Sequence, residues 1–135
     1  MATVAHAPQT FSETLGIDLS SIEAGLPISS LEELVGLVGI SWPLVYQTIL
    51  PARTLKHRRA KQQPLSIEES DRVARMARIF DHAMRVFGDL GRARLWLERP
   101  KHRFDGRAPL QMLASETGGR MVEEMLGQIE YGFFA

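Results

Sequence analysis

Apolar residues recur along this chain at helical spacing, and the longest regular stretch lies between Ser66 and Gly88. There Val73, Met76, Ala77, Phe80, Ala83, Met84 and Phe87 make one stripe, the pattern of a helix with a buried face. Ser66, with Glu69 three residues on, reads as a capping box, and Gly88 as a C-terminal stop. Glu68–Arg72, Asp71–Arg75 and Asp81–Arg85 are acid-then-base pairs four apart, each adding a few tenths of a kcal/mol. About 21 residues at roughly 1.5 Å each give a rod of about 30 Å, long enough to carry one module at each end.

Shorter segments flank it. Ser29 and Ser30, each with a glutamate three residues later, predict a helix start, and Leu31, Leu34, Val35 and Val38 supply its apolar face up to Gly39. Ser41 caps a second helix with Pro43 in its first turn, and a third runs from about Ala52 to Lys61 after Pro51. Beyond the long helix, another spans roughly Asp89 to Glu98, Asp105-Gly106 makes a turn, and Pro109 opens a short helix to about Ala114. Gly118-Gly119 is expected to precede a last helix to about Tyr131, whose stripe is Met121, Val122, Met125, Leu126 and Ile129. Residues 1–12 read as a loose tail, and Phe11–Ile22 is too short a pattern to assign. No segment has strand periodicity. The expected fold is all-α: an N-terminal helix-turn-helix domain over 29–88, including the long helix, and a small helical domain over 89–135, with 1–28 unassigned.

Composition adds exclusions. Hydrophobic residues make up 44% and charged residues 24%, no run has the length of a membrane span, and no Lys or Arg precedes an apolar N-terminal stretch. With no cysteine, disulfides, thiolate metal sites and a cysteine nucleophile are excluded. A cytoplasmic protein without membrane contact is expected. The formal net charge is +0, yet residues 1–33 hold five acids and no Lys or Arg, and residues 34–107 hold fifteen Lys/Arg against seven acids. Residues 108–135 hold four acids against Arg120 alone. A basic middle between acidic ends suggests a face for a polyanion, although charges that merely solvate helix surfaces give the same totals.

The basic charge is concentrated. No acid occurs from Leu34 to Ile67, while Arg53, Lys56, Arg58, Arg59 and Lys61 crowd one short helix. Three short helices, the last one basic, followed by a long one is an arrangement that places a recognition helix in the major groove. Arg53, Thr54, Lys56, His57, Arg58, Arg59 and Lys61 are the DNA-binding candidates, with Thr54 as a phosphate-bonding hydroxyl and Leu55 as a core anchor. A second register, Ser30–Val38 then Ser41–Ile49, also reads as helix-turn-helix, but its uncharged second helix suits a core better.

The C-terminal segment Tyr131-Gly132-Phe133-Phe134-Ala135 carries three aromatics in five residues. Burying one phenylalanine is worth about 1.5–3 kcal/mol, so these rings either fold back onto their own core or enter a partner. Trp96, among Arg92, Arg94 and Arg99, reads as a core plug. Catalysis is not expected. His6, His57, His82 and His102 have no ligand spacing, no Ser-His-acid or paired-carboxylate set stands out, and no metal or cofactor is implied.

Arg53-Thr54-Leu55 with Arg58-Arg59, Leu65-Ser66, Glu69-Ser70-Asp71-Arg72 and Phe87-Gly88-Asp89 resembles the N-terminal part of Xre/MbcA/ParS-type antitoxins. Ala93, Trp96-Leu97, Pro100, Gly106, Pro109-Leu110, Leu113, Gly118, Val122-Glu123, Leu126, Ile129 and Gly132 resemble that family's toxin-binding domain. One departure is Ile49-Leu50-Pro51 where a helix-turn-helix usually has glycine. The resemblance implies a bacterial type II pair whose toxin is a RES-domain enzyme consuming NAD. It also implies a homodimer that represses its own operon by binding operator DNA. The chain is then an inhibitor that covers the toxin's active site with Tyr131, Gly132, Phe133, Phe134 and Ala135. Glu123, Glu124 and Glu130 are expected to pair with basic residues of the toxin. A free-standing transcriptional regulator whose C-terminal half only dimerises is the alternative.

Overall fold

The computed structural model describes residues 9–132, and every element among them is helical. In order these are α1 (Phe11–Thr14), α2 (Leu19–Ala24), α3 (Ile28–Val38), α4 (Trp42–Thr48), α5 (Ala52–Lys61), α6 (Ile67–Phe87), α7 (Leu90–Glu98) and α8 (Glu116–Glu130). Two 3-10 turns, His102–Phe104 and Pro109–Ala114, lie between α7 and α8. Residues 133–135 fall outside the described part, so the expectation for Phe133, Phe134 and Ala135 has no structural counterpart here.

α6 is the axis of the fold. Ser66 Oγ accepts from the Glu69 N–H at 3.0 Å while Glu69 Oε1 accepts from the Ser66 N–H at 2.8 Å, and Gly88 closes the helix at φ 88°. Val73, Met76, Ala77, Phe80 and Ala83 are fully buried, as the stripe predicts. Ala74, Arg75, Ile79 and Asp81 are buried as well, because α1, α2, α3, α7 and α8 all pack on this helix. Met84 and Phe87 are half-buried near its end.

Local rules fail where a distant group competes. Asp81 makes no pair with Arg85. Its carboxylate accepts from the Phe11 N–H at 2.6 Å, the Ser12 N–H at 3.2 Å and the Ser12 hydroxyl at 2.7 Å. Orphan N–H groups at the start of α1 outbid an exposed i,i+4 pair. Residues 10–12 are therefore docked. Thr10 caps α1, and Phe11 meets Phe80 edge to face at 6.3 Å. Arg72 likewise leaves Glu68 and donates to the Ile49 carbonyl at 3.1 Å, whereas Asp71–Arg75 forms as expected at 3.5 Å.

Two helix starts differ from the sequence expectation. α3 begins at Ile28 after Pro27, whose φ of −66° sets the entry, and Ser30 is buried rather than capping. α8 begins at Glu116, so Gly118 and Gly119 lie inside its first turn. A Cβ on Gly118 would sit 2.0 Å from the Met112 carbonyl oxygen, and one on Gly119 2.8 Å from Arg75 Cδ. These glycines permit close approach; they do not mark a boundary.

The turn before α5 works without glycine. Ile49 and Leu50 are each 2% exposed and plug the core, Arg72 holds the Ile49 carbonyl, and Pro51 sets the extended entry at φ −63°. No residue of this turn needs a left-handed conformation.

Candidate functional site

The expected recognition helix has one outward face. Leu55 is 1% exposed and anchors α5, which leaves Arg53, Lys56, His57 and Ala60 at i, i+3, i+4 and i+7 in solvent, with Lys61 beside them. Thr54 is half-buried at the edge of that face. Arg53, Lys56 and Lys61 make no ion pair among the described residues.

Arg58 turns inward and Arg59 lies along the surface towards α3, so both have partners within the chain. Arg58 makes a two-pronged contact with Glu69, Nε to Oε1 at 2.6 Å and Nη2 to Oε2 at 3.1 Å. It thus ties α5 to the capping box of α6. Arg59 reaches Glu32 at 3.3 Å and lies over the Trp42 ring at 5.6 Å. Arg58 orients the helix, while Arg53, Lys56, His57, Arg59 and Lys61 are exposed. Spacing alone marks all of these cations; the missed signal is that Glu69 and Glu32 sit where α5 crosses α6 and α3.

Burial raises the Glu69 carboxyl, but the Arg58 guanidinium and the Ser66 N–H outweigh it, so its pKa lies below the ordinary value. A carboxyl lowered on folding stabilises the fold above its unfolded value of about 4.3, and that contribution disappears as pH falls through the folded value. Glu69→Ala is expected to cost about 2–3 kcal/mol at neutral pH, since it strands Arg58 and an N-terminal N–H. Glu69→Gln is expected to flatten the acid limb. Urea midpoints at about pH 7 and about pH 3 check both.

At the other end of α6, Arg78, His82 and Arg85 face α8. Arg78 pairs with Glu123, and Glu130 receives His82 Nε2 at 3.0 Å and Arg85 Nε at 3.6 Å. Glu123 and Glu130, expected to pair with a partner's cations, thus also have partners within the chain. Glu124 is exposed and makes no ion pair among the described residues. The clamp on Glu130 fixes the direction in which α8 ends. Tyr131 follows, 81% exposed, and Gly132 turns at φ 70°.

Arg75 fastens this half to the long helix. It is 5% exposed, donates to the Leu113 carbonyl at 2.9 Å and reaches Asp71 and Glu116, while its stem packs under Gly119. Trp96, expected in the core, is half-buried at the surface, and Leu97 occupies the core position instead. The Trp96 ring stands 5.7 Å from Phe87 and 4.6 Å from Lys101 Nζ.

Comparison with known proteins assigns both halves. Residues 17–78 match the antitoxin Xre-like helix-turn-helix domain, and residues 82–132 match the antitoxin Xre/MbcA/ParS C-terminal toxin-binding domain. The chain belongs to the Xre/MbcA/ParS antitoxin family. An antitoxin Xre of Pseudomonas putida is 47% identical over 95 residues, 70% of this chain and 60% of that protein. An antitoxin Xre of Yersinia enterocolitica is 37% identical over 89 residues, 65% of this chain and 60% of that one. A Prs ADP-ribosylating antitoxin of Sphingobium is 25% identical over 124 residues, 84% of this chain and 78% of that protein. The chain thus spans about three-fifths of the length of the two Xre relatives. The two matched regions meet inside α6, so in this chain one helix serves both halves.

Proposed function

We propose that this antitoxin neutralises a RES-domain, NAD-consuming toxin by laying its last residues, Tyr131 to Ala135, over the toxin's active site. The observation that carries this is Tyr131. It is 81% exposed at the end of a helix whose last turn is clamped by His82 and Arg85, inside the region matching the toxin-binding domain. A large ring kept out of its own core, on a rigid support, is ready to bury itself elsewhere. Inhibition by occlusion is stoichiometric and requires no catalysis by the antitoxin. The Sphingobium relative carries the name Prs ADP-ribosylating antitoxin, and ADP-ribosylation is a reaction that consumes NAD.

The second activity is operator binding by a homodimer through Arg53, Lys56, His57 and Lys61, with Thr54 at the edge, consistent with work in the cytoplasm. A dimer presents two such helices to successive half-sites. Each phosphate neutralised adds about 0.9 to the salt slope, so Arg53→Ala with Lys56→Ala is expected to lower it by about 2 per subunit. Fluorescence anisotropy on operator DNA across a salt series reads this. A free-standing regulator shares this basic face, but the toxin-binding match over 82–132 favours the antitoxin reading. Co-expression with the toxin is the test. The proposal expects one complex that survives gel filtration; two separate peaks overturn it.

A further inference from the structure

The surface beside α7 carries a feature that neither the tail nor α5 accounts for. Phe87, Leu95 and Trp96 floor a cavity of about 280 Å³ whose rim is Arg92, Arg99 and Lys101. Leu95 is 50% exposed and Trp96 half-buried, so the floor is apolar surface left open to solvent. On the rim, Arg92 reaches Asp89 at 3.5 Å, while Arg99 and Lys101 make no ion pair among the described residues. Burial, and then the neighbouring charge of Arg99, lower the Lys101 pKa. Two neighbouring cations with no ion pair among the described residues, beside an apolar floor, suit an anion carried next to an apolar group.

Size and position select the occupant. Pockets for small organic ligands run from about 300 to 1,000 Å³, so this one suits a side chain or two better than a cofactor. Phe87, near the C-terminal end of α6, forms part of the cavity floor. It also lies inside the region that matches the toxin-binding domain. A half-buried Trp ringed by Arg is the composition of an interface hot spot.

We infer that this cavity is a second anchor for the toxin, which inserts an acidic side chain carried next to an apolar one. The acid lies between Arg99 and Lys101, and the apolar neighbour covers Trp96 and Leu95. The antitoxin then grips at two points, the tail over the active site and this pocket. The inference rests on the toxin-binding reading and adds the chemistry of the partner's surface.

The test is calorimetric titration of the whole antitoxin with its cognate toxin, comparing the unaltered chain with Arg99→Glu/Lys101→Glu and with Arg99→Glu alone. Arg99 is exposed, so the single variant keeps the fold if the double does not. The expected result is a Kd raised at least tenfold in the double variant and severalfold in the single, with operator affinity unchanged. A Kd within twofold of the unaltered chain in both variants overturns the anchor while leaving the tail's role standing. A loss of DNA affinity with toxin affinity intact also overturns it, by making the patch a nucleic-acid contact. No binding by the unaltered chain removes both readings.

Discussion

Gly118→Ala is expected to lower stability by about 3 kcal/mol or more and to loosen α8 from the rest of the chain. Its Cβ would stand 2.0 Å from the Met112 carbonyl oxygen, 2.9 Å from the carbonyl carbon and 3.1 Å from Ser115 Oγ. Two of these are backbone atoms, which no rotamer change can move, and the third is the cap that accepts from the Gly118 N–H. Relief requires the first turn of α8 to retreat from the 3-10 turn Pro109–Ala114, opening the contact beneath it where Leu110 and Leu113 are buried. Gly127 in the same helix is the control. Nothing lies within 4 Å of its would-be Cβ, so Gly127→Ala is expected to raise stability by up to about 1 kcal/mol. Denaturant unfolding of the two variants gives opposite signs if this packing is right.

Much of this architecture was legible because α6 carries its own instructions. Its cap, its stripe and its stop are all local, and all three occur as the sequence predicts. α4, α5 and α7 followed from Ser41, Pro51 and Asp89 for the same reason. α1 was not legible, since what holds it is Asp81, seventy positions away, and no periodicity over four residues announces that. Charge was the least readable property. Composition located the basic helix and the acidic end but gave no sign that Arg58 and Arg59, or Glu123 and Glu130, find partners inside the chain. Gly118-Gly119 misled for a related reason: a glycine needed for close contact and one that ends a helix are identical in sequence. Trp96 and its ring of cations were visible as residues, but exposure separates an anchor from a core plug, and exposure depends on the packing of Phe87 and Lys101.

Removing residues 131–135 is expected to abolish neutralisation while leaving the fold in place. α8 is anchored upstream of the cut by Val122 and Leu126, both fully buried, and by the pairs from Glu123 and Glu130 to α6. Tyr131 contributes little to that core at 81% exposure. The truncated chain therefore keeps its melting temperature within a few degrees and keeps its affinity for operator DNA. On the proposed reading, what it loses is the bulk that covers the toxin. The decisive measurement is the rate at which the purified toxin consumes NAD, with one equivalent of whole or truncated antitoxin bound. The account predicts near-complete suppression by the whole chain and close to the free rate with the truncated one. Equal suppression by both would contradict it.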